Sequence, residues 1–160
     1  MKKGKIMNFF SDLGRSLMMP IAALAACGIV LGLTSALMKE QVLNVLPFLA
    51  SGVPYFIVST LNKVSNIVFT LLPVLFSISI AMGLAKEVAA FAGFLGYYAF
   101  LVASQCTISS GFMDFSALNI AATLGVETVN MGALGGIISG LVTTWLHNKY
   151  HKISFPAAIA

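Results

Sequence analysis

The sequence predicts an all-α membrane protein, a polytopic bundle of about four transmembrane helices plus one broken or interfacial segment. Three observations point there. Of 160 residues, 59% are hydrophobic and only 9% charged, against about 45–50% apolar and about 25% charged in ordinary soluble domains. Mean hydropathy is +0.97. The few charges sit in short stretches between long apolar runs. A water-soluble fold of this length would have to expose much of that apolar surface, whereas a bilayer accepts it.

The first span is Ser16 to Met38, about 23 positions without a charge, enough to cross a hydrocarbon core of roughly 30 Å as a helix. Pro20 is expected in its first turns, where a missing amide hydrogen does little harm. Gln41 to Leu61 is interrupted by Pro47, Gly52 and Pro54 and diluted by Asn44, Ser51 and Ser59. It predicts a broken or surface-lying segment, with a short re-entrant element as the alternative. Val64 to Ala85 is apolar enough to span, with Pro73 at its middle; a neighbouring helix must then cover the carbonyl that proline frees. Lys86 and Glu87 interrupt before Val88 to about Ser104, a third span reached by a tight connection that Gly83 helps to turn, with one long bent helix as the alternative. Gln105 to Asn130 is mixed and polar, with Asp114, Asn119 and Glu127, and is expected as a solvated outer loop in which acids cost little. Were that loop folded into the membrane, the two acids would become functional candidates. Met131 to Leu146 is a glycine-dense fourth span that ends at Trp145, a residue favoured at membrane interfaces. The tail from His147 starts basic and stops in Phe155-Pro156-Ala157-Ala158-Ile159-Ala160, with the look of a chain cut short.

Charge orients these spans. Lys2, Lys3, Lys5 and Arg15 precede the first, Lys86 follows the second, and Lys149 and Lys152 follow the fourth. The other side carries only Lys39 and Lys63. The positive-inside rule therefore places both termini of this multi-pass protein in the cytoplasm. The same rule accounts for a net charge of +4; the nine basic residues are scattered and form no aromatic-rich basic stripe, so no nucleic-acid partner is expected.

Small residues supply the clearest motif. Gly28 and Gly32 form a GxxxG pair in the first span, and Gly132, Gly136 and Gly140 repeat the spacing in the last. Ala89–Gly93 and Ala92–Gly96 do likewise with small residues. Such ridges let helix backbones approach, which is how helices associate in lipid. Packing within the bundle is the expected role, with self-association as the alternative. Leu24-Ala25-Ala26-Cys27 matches a lipoprotein cleavage box, but the residues after it stay apolar instead of opening a soluble domain. His147 and His151 are four apart, yet Asn148 stands where a zinc-protease pair needs glutamate, so they are assigned to an interfacial helix end with Lys149, Tyr150 and Lys152. Cys27 and Cys106 have no metal-like spacing. No Walker loop, nucleophile elbow or kinase signature is present, so no catalytic residue, metal or cofactor is expected.

Three stretches carry a resemblance. Phe9-Phe10-Ser11-Asp12-Leu13-Gly14-Arg15-Ser16-Leu17-Met18-Met19-Pro20-Ile21-Ala22 resembles the start of the enzyme II C permeases of the phosphotransferase system, glucose, maltose and N-acetylglucosamine group. Phe69 to Glu87, continued by Ala89 to Tyr97, is similar to that family's second signature. Gly132 to Leu141, followed by His147 to Pro156, is similar to the third. They lie in the family's order, closest to the maltose and glucose type. Members usually carry a few more polar residues before the equivalent of Val88. They also continue past the equivalent of Phe155-Pro156 into a loop and further spans that hold the sugar. The resemblance thus implies that residues 1–160 are an N-terminal, scaffold-like portion lacking the sugar-binding half. In full length such a protein would be a homodimer that imports a sugar and works with EIIB and EIIA partners that phosphorylate it. No residue here matches a sugar ligand or phosphate acceptor of the family. The alternative is a stand-alone four-span protein with a structural or partner-binding role. A chain lipid-anchored at Cys27 is a weaker third reading.

Overall fold

A computed structural model describes residues 2–85, 88–111 and 118–151. The described elements are α1 (Lys2–Leu37), α2 (Glu40–Val45), a 3₁₀ turn (Pro47–Leu49), α3 (Gly52–Thr70), α4 (Leu72–Ala85), α5 (Ala89–Ser109), β1 (Ile120–Thr123), β2 (Val126–Val129) and α6 (Gly132–Tyr150). The protein is an all-α helical membrane protein, with one two-stranded hairpin inserted. Two helices, α1 from Ile6 and α5, are by themselves long and apolar enough to cross a bilayer; α3 and α4 pass the same test only as a bent pair, a broken span or a re-entrant loop. With 14 residues, α4 alone reaches only about 21 Å, short of a hydrocarbon core of roughly 30 Å. The lipid-ready window of α1 is only 11% buried within the protein, and Ile21, Ile29 and Leu33 are exposed along it.

Two expectations are corrected. Pro20 is not in the first turns of its helix, because α1 begins fourteen residues before Ser16, at Lys2. The polar opening Asn8 to Arg15 keeps helical geometry, since none of its residues is a proline and a helix needs no apolar face where water or headgroups surround it. Likewise Val64–Ala85 is not one helix with a proline at mid-span. The helix starts at Gly52 and ends at Thr70, Leu71 (φ −87°, ψ 6°) breaks it, and Pro73 falls in the first turn of α4. There its absent amide hydrogen costs nothing, because the first amides of a helix have no intrahelical partner. The connection Lys86–Glu87, Asp114 and the tail from Lys152 lie outside the described residues.

The chain divides into two compact units. One comprises Met1–Met18 and Pro73–Ala160. Its core is Val74, Phe76, Ile80 and Ala81 of α4, Ala89, Tyr97 and Leu101 of α5, and Val126 of β2. The hairpin pairs Ile120 with Val129 and Thr123 with Val126 in antiparallel register, and β2 packs on α5. Val126 and Thr128 are buried while Glu127 between them is exposed, the alternation of a strand with one covered face. Leu124 (φ 53°) and Gly125 (φ 79°) form the two-residue loop, whose positive φ values suit the twist of a tight hairpin.

The other unit is Met19–Leu72. Here α1 and α3 run antiparallel: Asn62 Nδ2 donates to Thr34 Oγ1 (3.0 Å) and Ser35 Oγ (2.8 Å), while Gly28 lies against Phe69. Between them the predicted interruption of Gln41–Leu61 is seen as α2, the 3₁₀ turn begun by Pro47, and the start of α3 at Gly52 (φ +73°).

Candidate functional site

A closely packed seam of the Pro73–Ala160 unit lies where α4 meets α5 and α6. Ser77 is its centre and is fully buried. Its hydroxyl donates to the carbonyl oxygen of Gly93 on α5 (2.9 Å), so a polar group in the apolar interior is satisfied. On the other side, a side chain at Gly140 would stand 3.0 Å from both Cα and the carbonyl oxygen of Ser77 and 3.1 Å from Ile80 Cβ. A side chain at Gly136 would run into the carbonyl of Pro73, and one at Gly93 would lie 2.8 Å from Ala81 Cβ and 2.9 Å from Ser77 O. Gly136 faces Pro73 and Gly140 faces Ser77, so α4 and α6 advance together and are parallel. Gly96 faces Thr143 and Phe100 approaches Gly135, so α5 runs antiparallel to α6. Thr144 Oγ1 closes on Gly140 O (2.7 Å) and keeps its hydroxyl within its own helix.

The predicted ridge residues therefore separate. Gly136 and Gly140 are buried and at backbone contact. Gly28 has an ordinary van der Waals neighbour, 3.5 Å to Phe69 Cζ, whereas nothing lies within 4 Å of where a Cβ at Gly32 or Gly132 would be. Gly132 has φ +52° at the entry to α6, where its amide donates to Asn130 Oδ1 (3.0 Å). Four participants escaped the sequence reading. Ser77, Ala81 and Ala85 are small residues four apart on α4, the same signal as the glycine ridges, hidden because only pairs containing a glycine were counted. Gly83 faces Ser16 of α1 so closely that a Cβ would collide with its hydroxyl; Ser16 Oγ itself donates to Asp12 O (2.7 Å).

Of the other candidates, Glu127 is exposed on the hairpin and Cys27 lies half-buried inside α1. His147 and His151 come together at the end of α6, beside Leu84, Ala85 and Val88. Among the described residues no three His, Cys, Asp or Glu gather as metal ligands, and the seam brings together helix backbones, not titratable groups.

A family model described as "Phosphotransferase system, EIIC" matches residues 14–160, nearly the whole chain. The chain belongs to the EIIC family. This EIIC chain is 36% identical over 168 residues to the maltose-specific EIICB component of Escherichia coli K12, which covers 99% of the chain and 32% of that protein. It is 32% identical over 157 residues to the glucose-specific EIICBA component of Staphylococcus saprophyticus, covering 96% of the chain and 23% of that protein. The EIIC chain thus spans a third or less of the length of these relatives. The family, and the likeness to its maltose and glucose members, agree with what the three motifs predicted.

Proposed function

We propose that residues 1–160 form the front, scaffold-like portion of a sugar permease, the seam of α4, α5 and α6 being what holds it rigid. In its full length the permease would bind a glucose- or maltose-type sugar outside the cell, carry it inward and release it to EIIB and EIIA partners for phosphorylation, working as a homodimer with both termini in the cytoplasm. The observation that carries this is the match to two sugar-specific relatives over 99% and 96% of the chain but only 32% and 23% of their length. The seam supports the scaffold role: its polar groups point to helix backbones, Ser77 to Gly93 and Thr144 to Gly140, and none converges on a space for a hydroxyl-rich ligand.

The test has two arms. The purified polypeptide, titrated with maltose and with glucose in a calorimeter, is expected to give no saturable micromolar heat; saturable binding would contradict the scaffold role. A chimera in which this chain replaces the equivalent stretch of the maltose-specific relative is expected to restore maltose uptake to cells lacking that relative. A chimera present in the membrane at normal level but without uptake would contradict the permease reading.

A further inference from the structure

We infer that His147 and His151 form a two-imidazole binding site for a late first-row divalent metal ion, of the zinc or copper class, at the end of α6. Four residues apart on one helix, their Cβ atoms are about 6 Å apart on the same face. The rings lie nearly parallel, 13° apart with centroids 5.5 Å from each other. Nδ1 of His151 sits 3.1 Å from His147 O and 3.2 Å from Asn148 O. Carbonyl oxygens only accept, so this nitrogen carries the proton and Nε2 carries the free lone pair. A backbone carbonyl on Nδ1–H is the outer partner that metal-binding histidines commonly have, since it fixes the tautomer and raises the basicity of the other nitrogen.

Two further features favour a metal cation. Both imidazoles line a cleft of about 470 Å³ together with Leu84, Ala85, Val88 and Asn148, which leaves room for water or another donor to complete the coordination. Among the described residues no third His, Cys, Asp or Glu joins the pair. His147 lies in the last turn of α6 and His151 is its C-cap residue, where the negative end of the helix dipole attracts a cation and repels a phosphate. Lys149, the neighbouring charge, is held over the rings of Trp145 (5.0 Å) and Tyr150 (5.3 Å). Bringing both lone pairs onto one ion requires the rings to leave their parallel stack, with His147 turning about χ2, a soft torsion, while His151 keeps its carbonyl contacts. Imidazole nitrogens suit zinc, copper and nickel, and copper binds such donors tightest.

The chain contains only these two histidines, so any imidazole signal is theirs. The purified protein, carrying no histidine tag, is titrated with Cu²⁺ alone and followed by electron paramagnetic resonance. The expected result is one ion per chain with hyperfine structure from two imidazole nitrogens, displaced by Zn²⁺ only in large excess because copper binds such donors more tightly. His147→Ala and His151→Ala should each remove one nitrogen from the spectrum and weaken binding by more than about tenfold, with unchanged helicity. Zn²⁺ should also protect the unaltered protein from carbethoxylation of its histidines, a readout that needs no variant. Copper binding that is absent, or indifferent to both substitutions, would overturn the assignment, as would histidines modified equally fast with and without Zn²⁺.

Discussion

What one atom costs depends on what it meets, and Gly136 and Gly32 show the two extremes. A Cβ at Gly136 would meet the backbone of Pro73, which cannot swing aside, while one at Gly32 meets nothing within 4 Å. Overpacking a close contact costs about 1–3 kcal/mol, and alanine in an open helical position gains about 0.5–1 kcal/mol over glycine. Gly136→Ala should therefore destabilise the bundle by roughly that overpacking amount, and Gly136→Leu by more. Gly140→Ala, 3.0 Å from Ser77, should be milder, and Gly32→Ala should leave stability at or above that of the parent. Detergent-driven unfolding followed by circular dichroism ranks the four; the same midpoint for Gly136→Ala and Gly32→Ala would remove Gly136 from the seam. Ser77→Ala tests the hydrogen bond to Gly93 separately. Such bonds between membrane helices average about 0.6 kcal/mol and reach about 1.7, so a loss in that range is expected by the same measurement. No loss would mean that Ser77 acts by being small.

At the scale of elements, both joints between the units fall beside prolines: Met18 to Met19 is next to Pro20, and Leu72 to Pro73 is the other. The apolar runs of both helices were legible because their residues are apolar throughout. The positions of the breaks were not, because hydropathy is blind to backbone hydrogen bonding: Phe69-Thr70-Leu71-Leu72-Pro73 reads as unbroken grease, while Pro73 can only begin a helix or lack a donor within one. The glycine spacing likewise marked α6 as a packing helix, but which of its glycines touch a neighbour depends on where α4 lies, and that is tertiary information. The hairpin escaped altogether. Ile120 to Val129 is short and holds Leu124 at φ 53°, a conformation that a glycine or asparagine would have advertised and leucine does not. Its cost makes a prediction: Leu124→Asn should relieve part of the roughly 1–2 kcal/mol that the left-handed region costs such residues, slowing hydrogen exchange of the hairpin amides. Unaltered exchange would indicate that Leu124 gains as much from its surroundings as its backbone loses. In β2, Thr128 Oγ1 is buried with no hydrogen-bond partner among the described residues. Leaving such a group unpaired costs about 1–3 kcal/mol, and a same-shaped apolar replacement avoids it. Thr128→Val should raise the thermal midpoint, and a lowered midpoint would reveal a partner for that hydroxyl.

At the scale of the whole molecule, the proposed orientation combines helix direction with charge. Because α4 and α6 are parallel and α5 runs back between them, the ends Ala85 and His147 lie on one side, where the cleft joins them, and the hairpin lies at the opposite end of α5. From Val88 to Asn148 the sequence has no lysine or arginine, and its acids are Asp114 and Glu127. Lys149 follows at once, Lys86 directly succeeds α4 in the sequence, and Ser16, the neighbour of Arg15, packs at Gly83 in the last turn of α4. Arg15 and Lys149 are thus found at one end of this unit and Glu127 at the other, and basic residues close to span ends are what the insertion machinery retains in the cytoplasm. Single-cysteine labelling in intact cells decides it, with Cys27 and Cys106 first replaced by serine. Glu127→Cys should react with a membrane-impermeant maleimide added outside, and Asn148→Cys should react only after the cells are opened. The reverse pattern would turn the molecule over, and it would move the histidine cleft to the outer surface, where a captured metal ion would come from the medium instead of the cell.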